Sequence, residues 1–511
     1  MKHTEAIPVF VLAAAAIILA ASFAGCVSHT KPTDVSPTGK SALVTSNSPN
    51  NLTEIRSSSI TTSVNSGLKP VKNIILLVGD GMGLTQIYVP DRYLEDLYGK
   101  HLVIPTIKTR GLITTYSLSS EVTDSAAAAT ALFSGYKTVN HMINELPNGS
   151  IPHRTLGEIF KSEGKSVGIV TTTRLTHATP AGIYAHVKSR YMENVIALQL
   201  LRFEPTVALG GGLEYFLPKS MGGKRADGRN LIKAFEKEGY TVVFNESQLM
   251  KVNPEETNKL LGVFSKSHMA FEVDREHVKA DMSQPSLAEM TEVALKILSK
   301  NPRGFFLMVE GGRIDHACHE HDPKAEIMDT IAFDKAVRVA LEFQRTHPNT
   351  LVIVTADHET GGMSVGRGTF YEANFSALKS INCSISYLDK QIVSKHLNRT
   401  EVEKLVEKWW HTKLSEEEEE LLFSHNLTSE VRDRSILMDF PRVNEYVKNW
   451  AGFALAKIES ERAKIGWTSF AHTGVPVPVY AVGKDSQIFK GFYDNTGIYT
   501  RVLEAAGVIH Q

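Results

Sequence analysis

The chain contains few cysteines. Only Cys26, Cys318 and Cys383 occur among 511 residues, and they are widely separated in the sequence. This number excludes the disulfide framework of small secreted proteins, and it also excludes a zinc site built from four thiolates. A metal ion in this protein would therefore be bound by histidine and carboxylate side chains.

The chain also lacks an excess of charge of either sign. It has 55 Lys and Arg residues against 56 Asp and Glu residues, and its formal net charge is -1. Such a balance produces no overall field that would steer the protein toward nucleic acid or an anionic membrane. Any binding of anions must come from a local site.

The amino-terminal segment has the features of a targeting sequence. Lys2 precedes an apolar run from Ile7 to Ala24 that leads to Cys26. Lipidation at Cys26, ordinary secretory cleavage and retention as an uncleaved membrane anchor all fit this pattern, and each places the rest of the protein outside the cytoplasm. We assign residues 1–26 to this signal or lipoprotein segment. Residues 27–70, rich in Ser, Thr, Asn and Pro, are expected to form a disordered tether.

Four apolar segments of strand length follow the tether, and each ends in polar or glycine residues. They are Lys72–Gly83, Ser166–Thr173, Gly304–Gly312 and Thr350–Gly362. Continuous apolar runs are typical of parallel strands buried on both faces, and amphipathic helical patterns such as LAEMTEVALKILSKN separate them. The alternation predicts an α/β fold in which a large, mostly parallel central sheet carries helices on both faces. We assign residues 71–511 to this domain.

The pattern changes between about residues 364 and 466. This segment lacks strands that end in glycine, and it contains a charged helical pattern, TEVEKLVEKWW, and an acidic run near Glu416. We interpret it as an insertion over the site, with strand structure resuming at Val475–Gly483. The acidic run is expected to be a solvated helix face.

Polar residues that an apolar core does not need follow the strands or lie in adjoining loops. They are Asp80, Asp124, Ser125, His177, Thr179, Glu310, Asp315, His319, Asp357, His358 and His472. Each has a structural explanation when taken alone. Asp-Gly is common in turns, and Asp124 or Ser125 could simply cap an alanine-rich helix.

Taken together, these residues predict a metal site. The carboxyl ends of strands in a doubly wound sheet meet in one crevice, where crowded carboxylates repel each other unless cations are bound. Asp315 and His319 are spaced i and i+4, so they would project from one face of a helix toward one ion. Mixed imidazole and carboxylate ligands suit zinc, whereas carboxylate and hydroxyl oxygens suit magnesium.

Six motifs resemble the alkaline phosphatase family in their order and inner spacing. They are KNIILLVGDGMG, VTDSAAAATAL with SGYKT, HATPAGIYAHVKSR, FFLMVEGGRIDHACHE, TLVIVTADHETGG and AHTG. The resemblance weakens in the insertion, where the family has a variable crown-like region. It implies an exported, metal-dependent hydrolase of small phosphate monoesters with a broad substrate range. It further implies a homodimer that binds nucleic acid only where an end phosphate is the substrate.

By position, the resemblance implies two zinc ions and a third ion, usually magnesium, that another divalent ion can replace. The expected ligands are Asp315, His319 and His472 for the first zinc, Asp80, Asp357 and His358 for the second, and Asp80, Thr179 and Glu310 for the third ion. His177 stands where some bacterial relatives have Asp, which makes it a candidate for tuning the third site.

The resemblance implies that Ser125 is the nucleophile and forms a phosphoserine. Arg190 would grip two phosphate oxygens, a task that suits a planar guanidinium, and Asp124 and His316 would also contact the substrate. A serine hydroxyl is a poor nucleophile, and coordination to a metal is one way to stabilise its alkoxide. At the start of an alanine-rich helix, Ser125 would also lie beside free backbone amides that attract phosphate.

Two other functions fit the same motifs. A phosphodiesterase or sulfatase of the same superfamily would share the metal ligands, although Ser125 and Arg190 favour monoesters. A non-catalytic phosphate- or metal-binding surface lipoprotein would lack a ligand or the nucleophile, and none is missing. Two further residues of the Asp315 motif receive structural interpretations: Cys318 is expected to serve packing, and His321 is expected to be exposed at the surface.

Overall fold

The structure is a computed structural model that describes residues 70–278, 283–431 and 447–508. The predicted amino-terminal segment, 1–26, and the predicted tether up to residue 69 lie outside these ranges. Within the ranges, no helix combines the length and the apolar character needed to cross a bilayer.

The strands of the described residues are short and mostly apolar. They are β1 (Asn73–Gly79), β2 (Thr109–Thr114), β3 (Ser166–Arg174), β4 (Val207–Gly211), β5 (Thr241–Val243), β6 (Leu260–Val263), β7 (Phe305–Gly311), β8 (Thr350–Ala356), β9 (Glu359–Thr360), β10 (Ser364–Val365), β11 (Ile465–Gly466), β12 (His472–Thr473), β13 (Val477–Gly483) and β14 (Gly491–Asp494).

The α-helices lie between these strands along the chain. They are α1 (Leu84–Tyr98), α2 (Ser125–Ser134), α3 (Leu156–Ser162), α4 (Ala178–Ala181), α5 (Glu193–Phe203), α6 (Leu231–Lys237), α7 (Glu246–Met250), α8 (Glu272–His277), α9 (Leu287–Leu298), α10 (Arg313–Glu320), α11 (Pro323–Thr346), α12 (Ile385–Lys395), α13 (Arg399–Trp410), α14 (Glu416–Leu422), α15 (Trp450–Ala463) and α16 (Thr496–Ala505).

The main sheet has ten strands in the order β14-β2-β13-β8-β1-β7-β3-β4-β6-β5. Strand β13 runs antiparallel to both of its neighbours, and the other neighbouring pairs are parallel. Every residue of β1, β7 and β8 is buried, so both faces of the sheet are covered at its centre. The predicted α/β fold, with a mostly parallel sheet between helices, is confirmed.

Helix α2 begins and ends with well-formed caps. The side chain of Asp124 accepts a hydrogen bond of 3.0 Å from the backbone N–H of Ala127, and Gly135 follows the last turn at a φ of 73°. A carboxylate at this position satisfies one of the free amides of the first turn. The cap therefore fixes where the helix begins, and Ser125 is its first residue.

The chain between β10 and β11 forms helices α12 to α15 around a second apolar cluster. Its members include Leu388, Val406, Trp410, Leu422 and Leu455. Val89 of α1 and Ile327 of α11 join the same cluster, so these helices pack onto the main domain. The two ends of the segment lie side by side, because Ser364 pairs with Gly466 and Val365 pairs with Ile465.

The acidic run forms α14. Glu416, Glu417 and Glu420 are exposed, as expected of a solvated face. Glu418 differs, because its carboxylate forms an ion pair of 2.5 Å with Arg462 of α15. Glu419 also pairs, with Arg399 of α13 at 2.6 Å, so two side chains of the run join α14 to other helices.

Candidate active site

Polar side chains lie at the carboxyl ends of four adjacent strands of the sheet, β8, β1, β7 and β3. Asp80 directly follows β1, Glu310 lies at the end of β7, and Asp357 directly follows β8. All three carboxylates are completely buried. Parallel strands end on the same side of a sheet, which is why residues far apart in the sequence meet here.

A glycine allows the β1 loop to approach α10 closely. Gly81 has a φ of 71°, and a Cβ at this position would lie 2.8 Å from Oγ1 of Thr360 and 2.9 Å from Cα of Asp315. Any larger residue would be strained and would push the loop away from the helix. Gly81 therefore keeps Asp80 within reach of the groups on α10 and β9.

The first group consists of Asp315, His319 and His472. Oδ1 of Asp315 lies 3.3 Å from Nε2 of His319 and 3.5 Å from Nε2 of His472, and the two Nε2 atoms are 3.1 Å apart. The other ring nitrogens face carbonyl oxygens: Nδ1 of His319 is 2.7 Å from Phe470 O, and Nδ1 of His472 is 2.8 Å from Thr123 O. Because Nδ1–H donates to a carbonyl in each ring, each Nε2 carries a lone pair that can bind a cation.

The second group consists of Asp80, Asp357 and His358. Nε2 of His358 lies 3.2 Å from Oδ2 of Asp357 and 3.5 Å from Oδ1 of Asp80, while its Nδ1 lies 3.2 Å from Oγ1 of Thr360. Oδ1 of Asp80 and Oδ2 of Asp357 are buried and have no hydrogen-bond partner among the described residues. Buried acceptors normally have partners, so a cation between these oxygens fits the group.

The third group consists of Asp80, Thr179 and Glu310. Oγ1 of Thr179 lies 3.4 Å from Oδ2 of Asp80. Oε2 of Glu310 accepts a hydrogen bond of 2.9 Å from Thr173, whereas its buried Oε1 has no hydrogen-bond partner in the described ranges. Carboxylate and hydroxyl oxygens are the ligands that hard cations such as Mg²⁺ prefer.

Burial and mutual repulsion shift the carboxyl pKa values of these groups. Burial, followed by the charges of Asp357 and Asp315, raises the pKa of Asp80 well above its usual value. Burial raises the pKa of Asp357 to about 8 and also raises that of Glu310. These three carboxylates are therefore costly to ionise in the bare protein, and bound cations would offset this cost. Asp315 differs: burial opposes its ionisation, but His319 and His472 beside it hold its pKa below the usual value.

Ser125 lies at the amino-terminal end of α2 and faces the second group. Its Oγ is 3.2 Å from Nε2 of His358, and the residue is only 2% exposed. The amides of the first helical turn and the positive end of the helix dipole point toward the same place. The hydroxyl therefore lies beside both a cation-binding group and an anion-binding helix end.

Arg190 lies between Asp124 and His177. Its Nη1 donates to Oδ2 of Asp124 at 3.0 Å, and its Nη2 lies 2.8 Å from Nε2 of His177. Burial opposes ionisation of Asp124, but the hydrogen bond from His141 and the charge of Arg190 hold its pKa well below the usual value. Two contacts thus fix the direction of the guanidinium.

One cavity of about 560 Å³ borders the first group, and the residues of the second and third groups do not line it. Ser125, Arg190, His319 and His472 line it, and Tyr191, which is 68% exposed, lies at its rim. The cavity brings a hydroxyl, a guanidinium and the first group together in a space large enough for a small organic ester.

Two histidines of the α10 motif lie elsewhere than the sequence suggests. His316 is completely buried and does not line the cavity; its ring packs edge-on against His268, which does, with a centroid distance of 4.4 Å. The prediction that His321 is exposed is wrong, because its ring is stacked between Trp467 and Phe470 and is 8% exposed. The prediction that Cys318 serves packing is confirmed, since it is fully buried in the main core.

Sequence reasoning missed other residues of the cavity. His268, His141 and Arg174 line it, and Lys448 reaches it from the chain between β10 and β11. Arg174 directly follows the predicted segment Ser166–Thr173 and could have been found by the same reasoning. The other three follow no strand end that the sequence reveals, although His141 contacts Asp124, with Nδ1 3.2 Å from Oδ2, and His268 packs against His177.

The chain is similar to known proteins over most of its length. The alkaline phosphatase family model matches residues 71–508. Alkaline phosphatase 3 of Bacillus subtilis (strain 168) is 35% identical over 448 residues, which cover 85% of this chain and 89% of that protein. The membrane-bound alkaline phosphatase of Bombyx mori is 35% identical over 56% of this chain and 60% of its own length.

Solved structures lead to the same family. The crystal structure of Thermus thermophilus alkaline phosphatase superposes on the chain with a TM-score of 0.76 at 32% identity, and the match covers 87% of this chain and 93% of that one. The fold, the arrangement of the strand ends and the extent of these matches lead to one conclusion: the chain is a phosphatase that belongs to the alkaline phosphatase family.

Proposed function

We propose that the protein hydrolyses phosphate monoesters to an alcohol and inorganic phosphate through a phosphoserine at Ser125. The position of Ser125 carries this proposal. Its Oγ lies at the start of α2, 3.2 Å from Nε2 of His358, in a cavity that Arg190 also lines. A phosphate held by Arg190 and the helix amides would lie within reach of this oxygen.

Arg190 and α2 would bind the phosphate group. A guanidinium can hold two phosphate oxygens at once, and its contacts with Asp124 and His177 limit its rotation. The amide of Ala127 donates to Asp124, but the amides of Ser125 and Ala126 have no acceptor within the helix and can donate to an anion. Because these donors are in place before substrate arrives, little ordering is required when it binds.

The three groups fit the metals of the family. The first and second groups, which combine carboxylates with imidazole Nε2 atoms, suit zinc, and the third group suits magnesium or another divalent ion. Bound zinc would lower the pKa of a coordinated hydroxyl or water and would stabilise charge on the leaving oxygen.

The residues around Ser125 position its oxygen. His358, whose Nδ1–H donates to Thr360, presents Nε2 toward Oγ. Asp124 caps α2 and holds Arg190 at the same time, so one carboxylate sets the distance between the nucleophile and the phosphate donors. His316 acts indirectly in this proposal, through its contact with His268 at the cavity wall.

We expect a broad substrate range. The rim of the cavity carries exposed side chains such as Tyr191 and Lys448 and does not enclose the group attached to the phosphate. Specific recognition of an alcohol requires buried polar partners for it. The protein would therefore recognise mainly the phosphate group of its substrates.

The proposal is tested by trapping the intermediate. Metal-loaded protein is mixed with labelled inorganic phosphate at acidic pH and quenched, and the labelled peptide is mapped; we expect label on Ser125. Rates on an aryl phosphate, a diaryl phosphate and an aryl sulfate are compared in parallel. Faster turnover of the diester or the sulfate, or label at another residue, would overturn the proposal in favour of a phosphodiesterase or sulfatase.

The surface around α1 is consistent with the homodimer that the family resemblance implies. Leu84 and Tyr88 are 53% and 54% exposed, and together with Val365 they line a groove of about 570 Å³. Exposed apolar groups in one place often mark a protein interface. Replacing Tyr88 by arginine should shift the molar mass in sedimentation equilibrium from dimer toward monomer.

We propose an extracytoplasmic location with attachment to a membrane through the amino-terminal segment. The proposal rests on the apolar run before Cys26 and on the polar linker after it, both outside the described residues. The relative from Bombyx mori is a membrane-bound enzyme by name.

A further inference from the structure

The loop of residues 467–471 orients a histidine of the first group. The carbonyl oxygen of Phe470 lies 2.7 Å from Nδ1 of His319, and the chain reaches His472 two residues later. A hydrogen bond to the remote nitrogen of such a ring sets both its tautomer and its direction. A shift of the loop would therefore turn His319 and move His472 together.

His321 directly follows α10, the helix that carries His319, and it contacts this loop. Its ring lies parallel to those of Phe470 and Trp467, at angles of 12° and 5° and centroid distances of 3.8 and 4.9 Å. Its Nε2 lies 2.8 Å from the carbonyl oxygen of Ser469 and donates to it. One flat ring thus contacts two side chains and one backbone group of the loop.

Other contacts also hold the loop, including a hydrogen bond of 2.9 Å from the amide of Gly361 to the carbonyl oxygen of Ala471. The amides of Thr468 and Ser469 donate to the carbonyl of Gly361 at 3.0 and 3.1 Å, and Trp467 donates to Ser460 at 3.0 Å. On the side of α15, however, the rings of His321 and Phe470 border a cavity of about 160 Å³. Phe453 of α15 packs against Phe470 at a centroid distance of 6.1 Å, whereas the parallel stack with His321, at 3.8 Å, is the closer contact.

We propose that His321 is a positioning residue for the first group, which fixes the 467–471 loop and through it the ring of His319. The inference rests on the proposed function, because it treats the first group as a zinc site. His321 touches neither substrate nor the first group in this arrangement. Its effect should therefore appear in zinc affinity rather than in the chemistry at Ser125.

The backbone at this position guides the choice of variants. His321 follows α10 with a φ of 53°, a left-handed conformation that asparagine adopts readily. His321→Asn therefore removes the stacked ring without backbone strain. His321→Phe keeps a flat ring but removes the donor to Ser469, and His321→Ala removes both.

The test measures zinc binding and stability separately. Zinc affinity is determined by competition with a chelator, and thermal unfolding is recorded for metal-free protein. We expect His321→Ala and His321→Asn to weaken one zinc site about 10-fold, at the low end of the range for groups that orient metal ligands. His321→Phe should lie between these variants and wild type. Excess zinc should restore kcat in all three.

Trp410→Phe provides a matched control. Trp410 is also a buried ring, but it lies in the cluster between β10 and β11 and not in the loop. The Trp410→Phe substitution should lower the unfolding temperature and leave zinc affinity unchanged. If all three His321 variants bind zinc with wild-type affinity and only their unfolding temperatures fall, the inference about His321 is wrong and the proposed function still stands. Wild-type protein that binds no zinc would overturn the proposed function as well.

Discussion

Nη2 of Arg190 donates to Nε2 of His177 across 2.8 Å, and this contact determines which nitrogen of the histidine carries a proton. An arginine only donates hydrogen bonds, so Nε2 must accept. Burial lowers the pKa of His177 well below its usual value, which keeps the ring neutral and leaves its one proton on Nδ1. Nδ1 faces Oε1 of Glu310 at 4.0 Å, and in this tautomer it has no lone pair to offer a metal.

His177→Asp should therefore shift the metal preference of the third group toward magnesium. The variant replaces a neutral N–H donor with an anionic oxygen ligand, which a hard cation prefers. Metal-stripped wild type and variant are titrated with magnesium, zinc and cobalt, and both bound metal and activity are recorded. His347→Asp adds the same charge at an exposed position and should change nothing. An unchanged preference in His177→Asp would leave Asp80, Thr179 and Glu310 as the sole determinants.

Ser125→Ala should reduce phosphomonoesterase activity by several orders of magnitude while zinc binding remains close to wild type. The serine supplies the nucleophile, and loss of a nucleophile typically costs more than about 10⁴ in rate. Ser134→Ala removes a buried hydroxyl from the same helix, where Oγ donates to Asn144 at 2.8 Å. It should cost only about 1 kcal/mol of stability and retain activity. Near-normal turnover in Ser125→Ala would contradict the assigned nucleophile.

Arg190→Lys should raise KM for an aryl phosphate, and the inhibition constant for inorganic phosphate, by about 10-fold. A lysine keeps the charge but cannot hold two phosphate oxygens at once. Arg174→Lys is the comparison, because Arg174 lines the same cavity but forms an ion pair of 2.8 Å with Glu193. Equal effects of the two substitutions would show that loss of either guanidinium has the same consequence, which would contradict the special role of Arg190.

Asp322 should make the stability of the wild type fall as the pH rises from about 4 to 7. Its oxygens accept hydrogen bonds from the amides of Ala325 and Ile385 at 2.8 and 2.7 Å. Burial raises its pKa to about 7, so the neutral form is favoured in the folded protein while the unfolded chain ionises near pH 4. The stabilisation is present below the unfolded pKa and is lost as the pH rises through the folded pKa.

Asp322→Asn tests this expectation because asparagine cannot ionise. Denaturant unfolding of metal-free protein at pH 5 and pH 7.5 should show the wild type losing more than about 1 kcal/mol relative to the variant. The hydrogen bonds that asparagine loses cancel in this comparison, since they do not depend on pH. A difference between the two proteins that stays constant with pH would contradict the assignment.

Cys26→Ser should release the protein from the membrane fraction if Cys26 is lipidated. Cell fractionation with an activity assay checks this outcome, and a conservative change at Cys383, which is buried, is the control. Activity that stays membrane-bound in Cys26→Ser would favour an uncleaved anchor. Activity confined to the cytoplasm of cells expressing wild type would contradict export.

The sequence predicts the parts of the fold and site that depend on buried strands and their ends. The apolar runs identify β1, β3, β7 and β8, and parallel pairing then brings Asp80, Glu310 and Asp357 together. His268 and Lys448 lie outside this logic, because loops of irregular conformation place them. The burial of His321 cannot be predicted from its neighbours in the sequence for a similar reason, because it results from two aromatic residues that follow it by about 150 positions.

The pairing of β10 with β11 fixes both ends of the chain between them. The length of that chain can therefore change without changing the geometry of the main sheet. The two strands leave and re-enter the domain side by side, so a longer or shorter segment would still close over the same two exits. The entropy of closing a loop grows only slowly with its length. Evolution can therefore exchange this segment, and with it the Lys448 that lines the cavity, without moving the strand ends that carry the chemistry.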